Sequence, residues 1–235
     1  MALPKLQTPE YKLLLPSTQE EIKYRPFLVK EQKILMIAQE SGEEKQLADA
    51  MGELVSNCTF GVLDVNQSPM FDVEYVFLQL RAKSAGAKVK INVTCPDDEE
   101  TQVEVEVNLE KIGVQHSVEH SQEITITEDI KLNLRYPMLK DIKGINGNFG
   151  EFEIGILMIH ECIESVIYGE ETIHRVDMTI DEISEFIDSF NTEQIKNVMK
   201  FFETMPKLRH IIDVTNPKTK KKGEVLLEGL ESFLV

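Results

Sequence analysis

Residues 93–112 read VTCPDDEETQVEVEVNLEKI, and a second version of the pattern, VTNPKTKKKGEVLLEGL, occupies residues 214–230. Both open on Val-Thr, then Cys95 or Asn216, then proline. Both cross a charged loop into an apolar strand. Both close on Leu-Glu-x-apolar, at Leu109, Glu110 and Ile112 and at Leu227, Glu228 and Leu230. Two hairpins with proline-containing knuckles are the halves of a zinc ribbon, in which Cys-x-x-Cys from each half sets four thiolates around one tetrahedral metal. Only Cys95 is a cysteine here; the other three ligand positions fall on Asp98, Asn216 and Thr219. The expectation is a degenerate zinc-ribbon-like pair of β hairpins without metal ligation. Two unrelated strand-turn-strand segments are the other reading. In the paired reading Asp97, Asp98, Glu99 and Glu100 face Lys218, Lys220, Lys221 and Lys222, and ion pairs replace the metal.

Before the first knuckle the chain predicts a hairpin and three helices. YKLLL and EIKYR flank the turn Pro16-Ser17-Thr18. Residues 27–41 follow with Leu28, Ile34, Leu35 and Ala38 at helical spacing, stopped by Gly42. Residues 43–58 carry Leu47, Ala50, Met51, Leu54 and Val55 on one stripe and end at Cys58, a small buried apolar residue in this reading. Ser68-Pro69 opens a third helix through Phe71, Val73, Val76, Phe77 and Leu80, whose basic exit suits the helix dipole. Alternation at Val89, Ile91, Val93 and at Val103, Val105, Val107 marks strands with one dry face.

Beyond the first knuckle, 123–127 and 130–135 predict another hairpin. Gly144, Gly147 and Gly150 mark a loop and a domain boundary. Residues 152–168 read as the most apolar helix and 170–174 as a short turn or strand. Thr179-Ile-Asp-Glu182 and Asn191-Thr192-Glu-Gln are cap signals for two short helices. The fold class is α+β, in four regions: an N-terminal hairpin with helices at 1–87, a β region with the first knuckle at 88–143, an acidic helical region at 144–208, and the second knuckle packing back on the β region at 209–235.

The net charge is −16 over 235 residues. It concentrates in 147–204, with 13 acids against 3 bases, whereas 205–235 carries 6 bases against 4 acids. Phosphate backbones are poor partners for such a chain. Three widely spaced cysteines argue against a disulfide framework, and prolines interrupt the N-terminal segment where a signal peptide needs an apolar core. No run reaches the roughly 18 apolar residues of a membrane helix. The expectation is a soluble protein made in a reducing cytoplasm, with neither nucleic acid nor membrane as partner.

No convergent catalytic set emerges. His116 and His120 are four apart in a polar stretch, and His160-Glu161 lacks the second histidine of HExxH. His160 and Cys162 point apart on a helix. The glycine loop lacks a P-loop lysine. The expectation is a protein that is not an enzyme and takes no cofactor.

Three stretches carry a resemblance: ALPKLQTPEYKLLLPST with IKYRPFLVKEQKILMIA, then NCTFGVLDVNQSPMFDVEYVFLQLRAKS, then FFETMPKLRH with LEGLESF. They resemble the baseplate hub family of T-even-type (T4-like) contractile-tailed bacteriophages over almost the whole chain. The resemblance implies a structural or assembly component of the tail baseplate hub. It would be made in the bacterial host cytoplasm and act through contacts with other hub and tail proteins, as a homo- or hetero-oligomer. Some members have Cys-Pro-x-Cys knuckles, from which this chain departs at Asp98, Asn216 and Thr219. Tyr24, Phe27, Phe71, Tyr75 and Arg81 are the candidate partner-binding residues, since aromatics and arginine anchor interfaces; Phe149 and Phe233 are further aromatic positions beside turns. The runner-up is a zinc-ribbon-type adaptor or nucleic-acid-binding protein.

Overall fold

A computed structural model describes residues 6–144 and 149–233; Gly147 of the expected loop lies outside them. The first part of the chain runs β1 (Tyr11–Leu14), β2 (Glu21–Tyr24), α1 (Val29–Ser41), α2 (Glu44–Cys58), α3 (Met70–Ala85), β3 (Lys88–Thr94), β4 (Gln102–Asn108) and β5 (Gly113–Gln115). Next come β6 (Glu123–Thr125), β7 (Ile130–Leu134), α4 (Leu139–Gly144), α5 (Glu151–Cys162), β8 (Ile163–Tyr168), β9 (Glu171–His174), α6 (Ile180–Asp188) and α7 (Thr192–Thr204). The chain then returns through β10 (Lys207–Thr215) and β11 (Lys222–Glu228). The class is α+β with small antiparallel sheets. No helix of the described residues is long and apolar enough to cross a membrane.

The chain divides into two compact units, one of residues 1–115 with 207–235 and one of 116–206. The divisions fall at Gln115/His116 and Pro206/Lys207. The glycine loop is therefore internal to the second unit rather than a boundary.

In the first unit α3 is buried nearly all round: Phe71, Val73, Val76, Phe77, Leu78 and Leu80 all have exposures of 4% or less. A helix apolar on every face belongs in the middle of a core, and α3 packs against α2, β5 and β10. Asp72 at its first turn is buried and accepts hydrogen bonds from the Ser17 N–H (3.0 Å) and hydroxyl. That ties the β1–β2 turn to the N-terminal end of α3, where the helix dipole favours an anion. The α1 stripe expected from periodicity is not buried. Only Ala38 and Glu31 of α1 are, while Ile34, Met36 and Ile37 stay exposed.

In the second unit the sheet runs β6-β7-β8-β9. The expected helix through residue 168 stops at Cys162. Ile163–Tyr168 instead pairs with β7, matching Leu132 to Val166. The run IESVIY is rich in β-branched residues, which favour a pleated, half-buried surface. α6 and α7 carry the predicted capping boxes, with Thr179 accepting from the Glu182 N–H and Asn191 from the Gln194 N–H. The core joins Leu132, Leu134, Ile159, Ile183, Val198 and Phe201.

One local device is built in both units. Arg25 follows β2. Its N–H donates to the Cys58 carbonyl (2.9 Å), and its guanidinium to the Pro26 carbonyl (3.0 Å) and Glu31 (2.9 Å). The Leu28 N–H closes on the other oxygen of Glu31 (2.6 Å). Arg135 follows β7 and repeats this with the Cys162 carbonyl (2.9 Å), the Tyr136 carbonyl (3.1 Å), Asp141 (2.7 and 2.9 Å) and the Met138 N–H. Each clamp fastens a hairpin, the start of the next helix and the last residue of the helix after that. Burial works against the charge on Glu31, yet the bonds from Arg25 and the Leu28 N–H hold its carboxyl below the usual range.

Candidate functional site

The two knuckles are built alike. The Cys95 N–H donates to the Thr101 carbonyl (2.8 Å), and the Cys95 carbonyl accepts from the Glu99 N–H (3.0 Å). Asn216 does the same with Lys221 and Lys220, at 2.9 Å each. The fourth residue after each start, Glu99 or Lys220, takes a left-handed φ of 54° or 62°. Cys95 and Asn216 are both completely buried.

The knuckles also touch. The Asn216 amide donates from Nδ2 to Asp97 Oδ1 (2.8 Å) and Asp98 Oδ2 (2.9 Å), and the Thr219 hydroxyl donates to Asp97 (2.5 Å). The Asn216 Oδ1 accepts from the Lys218 N–H (2.8 Å), so the carboxamide is engaged on both sides. Gly223 makes the approach possible, because a Cβ there would lie 2.6 Å from Cγ of Pro96. The expected lysine–carboxylate cluster is corrected: among the described residues the loops are joined by amide and hydroxyl donors, and the lysines of the second loop are exposed. A buried amide gives two directed bonds with no charge to desolvate, whereas a lysine keeps its hydration by pointing outward.

These contacts set the charges. The Thr101 hydroxyl and N–H, then the Asn216 amide, hold the Asp98 carboxyl well below its ordinary 3.8. The Thr219 hydroxyl and Asn216 amide lower Asp97 in the same way. Burial and the neighbouring carboxylates raise the Cys95 thiol. A carboxyl whose folded pKa is depressed lends stability above its unfolded value and loses it as pH falls towards the folded one. Acidification below about pH 4 should therefore loosen this junction. Asn216→Ala should cost about 1–2 kcal/mol at neutral pH and flatten that acid limb. Urea melts between pH 3 and 7 measure both; an unchanged acid limb would count against the junction.

Of the candidate partner-binding residues, Tyr24 and Phe71 are core, at 3% and 4% exposure. Phe27, Tyr75 and Arg81 are half-buried, so the accessible part of the set reduces to these three. Burial lowers the Arg81 pKa and raises that of Tyr75. Phe233 is fully buried, while Phe149 is 40% exposed.

The remaining chemistry-bearing residues take packing positions. Burial pushes the Cys58 thiol up to about 11 and the Cys162 thiol up to about 12, so both are protonated at neutral pH. His120 packs beside Tyr136 and Phe201, with ring centroids 5.5 and 5.1 Å away, and its Nδ1 lies 3.0 Å from the Thr204 hydroxyl. Burial lowers its pKa. Among the described residues no group of three or more His, Cys, Asp and Glu side chains is placed to hold a metal ion. The two arginine clamps are what the sequence reading missed. Their signal is an arginine with an acid six residues later, RPFLVKE and RYPMLKD.

A family model described as T4 bacteriophage base plate protein matches residues 8–235. No curated protein and no solved structure matches the chain.

Proposed function

The chain belongs to the family of T4 bacteriophage base plate proteins, and from that premise we propose that it serves the tail hub, as a subunit or assembly factor, by holding other proteins rather than by turnover. The family match is the observation that carries this reading. It spans both compact units, so the role attaches to the whole chain. Membership places the protein in the baseplate of the virion tail, with other baseplate components as partners.

The paired knuckles fit the reading as a degenerate zinc ribbon. The Asn216 amide stands where Asp97 and Asp98 converge and takes over by hydrogen bonding the joining role a metal has in an intact ribbon. The acidic block around α5 to α7 supports docking to basic neighbours, since complementary charge steers encounter and register.

The test is assembly. A phage carrying an early stop codon in this reading frame should yield filled heads and free tail precursors but few complete baseplates, with rescue from a plasmid copy. Normal tails from that phage would overturn the proposal. Tail intermediates that retain a finished hub would keep the baseplate role and remove the hub from it.

A further inference from the structure

We propose that the free edge of β9 and the groove beside it receive an extended basic segment of a baseplate partner, which adds as a fifth antiparallel strand. This rests on the reading that the protein works by contacts, and it names where one contact falls and what chemistry it takes.

β9 is the last strand of its sheet, pairs with β8, and has all four residues exposed. The turn between them is two residues, Gly169 and Glu170, with Gly169 at φ 59°. In such a hairpin the flanking pair, Tyr168 and Glu171, is hydrogen-bonded, and the pairs beyond alternate. Ile173 therefore bonds back to Val166, while Thr172 and His174 turn their N–H and C=O groups outward. A strand laid along that edge meets a ready row of donors and acceptors.

Side chains supply the second half of the site. Val166 and Ile173 are register partners and lie on the face that carries Leu132, Ile183 and the rest of the core. Beyond the core that face opens into a groove of about 220 Å³ walled by Val166, Ile173, Met178 and Phe186, with Asp177 and Glu182 also lining it. Between residues 168 and 180 four large apolar residues are exposed, Tyr168 at 59%, Ile173 at 42%, Val176 at 90% and Ile180 at 66%, and Ile173 is the one that lines the groove. An apolar side chain of an added strand, opposite Ile173, enters this groove.

Charge selects the occupant. Residues 163–190 hold eight acids and one arginine, a net of −7. A second copy of this chain would bring the same excess of acids to the edge, whereas a segment with lysine or arginine among its apolar residues brings the opposite charge to this acidic region and still fills the groove with an apolar side chain.

The probe is a blocked ten-residue peptide alternating lysine with valine or isoleucine, with a glutamate-for-lysine version as control, titrated into the full-length protein by fluorescence anisotropy. The lysine peptide should bind at least tenfold more tightly than the control. Thr172→Pro removes an outward N–H at a position where an edge strand tolerates proline, and should weaken binding tenfold or more. Ile173→Lys, with its side chain exposed, should do the same should the proline variant fold poorly; melting curves monitor both. Equal binding of both peptides, or binding of the lysine peptide that neither substitution alters, would overturn the proposal. So would peptide-free dimerisation that Thr172→Pro abolishes, which would assign the edge to a second copy. Normal tails from phage carrying the edge variants, alongside failed assembly of the stop-codon phage, would remove the edge site and leave the assembly role standing.

Discussion

Arg135→Met is expected to destabilise the second unit by about 3–5 kcal/mol, the usual cost of removing one partner from a buried ion pair. The arginine holds Asp141 through two parallel bonds and also donates to the Tyr136 and Glu161 carbonyls. Asp141 keeps only 2% of its side-chain surface. Without the guanidinium its carboxylate is left buried with the Met138 N–H, and two carbonyls lose a donor. The double variant Arg135→Met with Asp141→Leu should recover much of the loss, since replacing both charges removes the uncompensated one. Denaturant melts of the four proteins of that cycle measure the coupling. A coupling near zero would show that the clamp does not hold the hairpin to the helices. Arg25→Met should act in the same direction on the first unit through Glu31, whose side chain is 3% exposed.

Phe233→Ala should cost about 3–5 kcal/mol in the first unit, as for a phenylalanine lost from a packed core. The ring is completely buried, and its 3-10 turn packs against α3 and β11. Thermal melts measure the loss. A change within about 0.5 kcal/mol, the scale of ordinary surface substitutions, would contradict that packing. Phe149→Ala, at a ring 40% exposed, is the internal comparison.

These residues also show what the sequence could carry. Alternation located β3 and β4, because a side-chain period of two reports which face is dry. Capping boxes located α6 and α7 for a similarly local reason. Local pattern was not enough for α1, whose apolar positions recur at helical spacing although Ile34, Met36 and Ile37 are exposed. Nor was it enough for Ile163–Tyr168, where an apolar run reads equally as helix or strand until pairing with β7 decides it. The knuckle positions Cys95, Asp98, Asn216 and Thr219 were legible as a repeat. Their bonding was not, because it depends on which side chains the closed pair excludes from water. Aromatic identity alone cannot separate core from surface, which is why Tyr24, Phe71 and Phe233 read like Phe27 and Tyr75. The clamps join residues that adjacency does not connect, such as Arg25 with Cys58 and Arg135 with Cys162.

The first unit is discontinuous, and that orders its birth. Asp97 and Asp98 leave the ribosome well before Asn216 and Thr219, which lie 118 to 122 positions later. At bacterial elongation rates the interval is roughly 6–24 s. Until β10 emerges β5 lacks its neighbour, and by then every strand of the second unit's sheet has been synthesised. The second unit can therefore fold first, as an inserted domain, and the β10–β11 hairpin then closes the first by joining a knuckle that has been waiting for it. A nascent chain with an open β edge is exposed to pairing with sister chains on the same messenger. Translation speed through 116–206 thus becomes a control on yield: slowing it lengthens the vulnerable interval, and synonymous rare codons placed there should increase the insoluble fraction without changing a single residue.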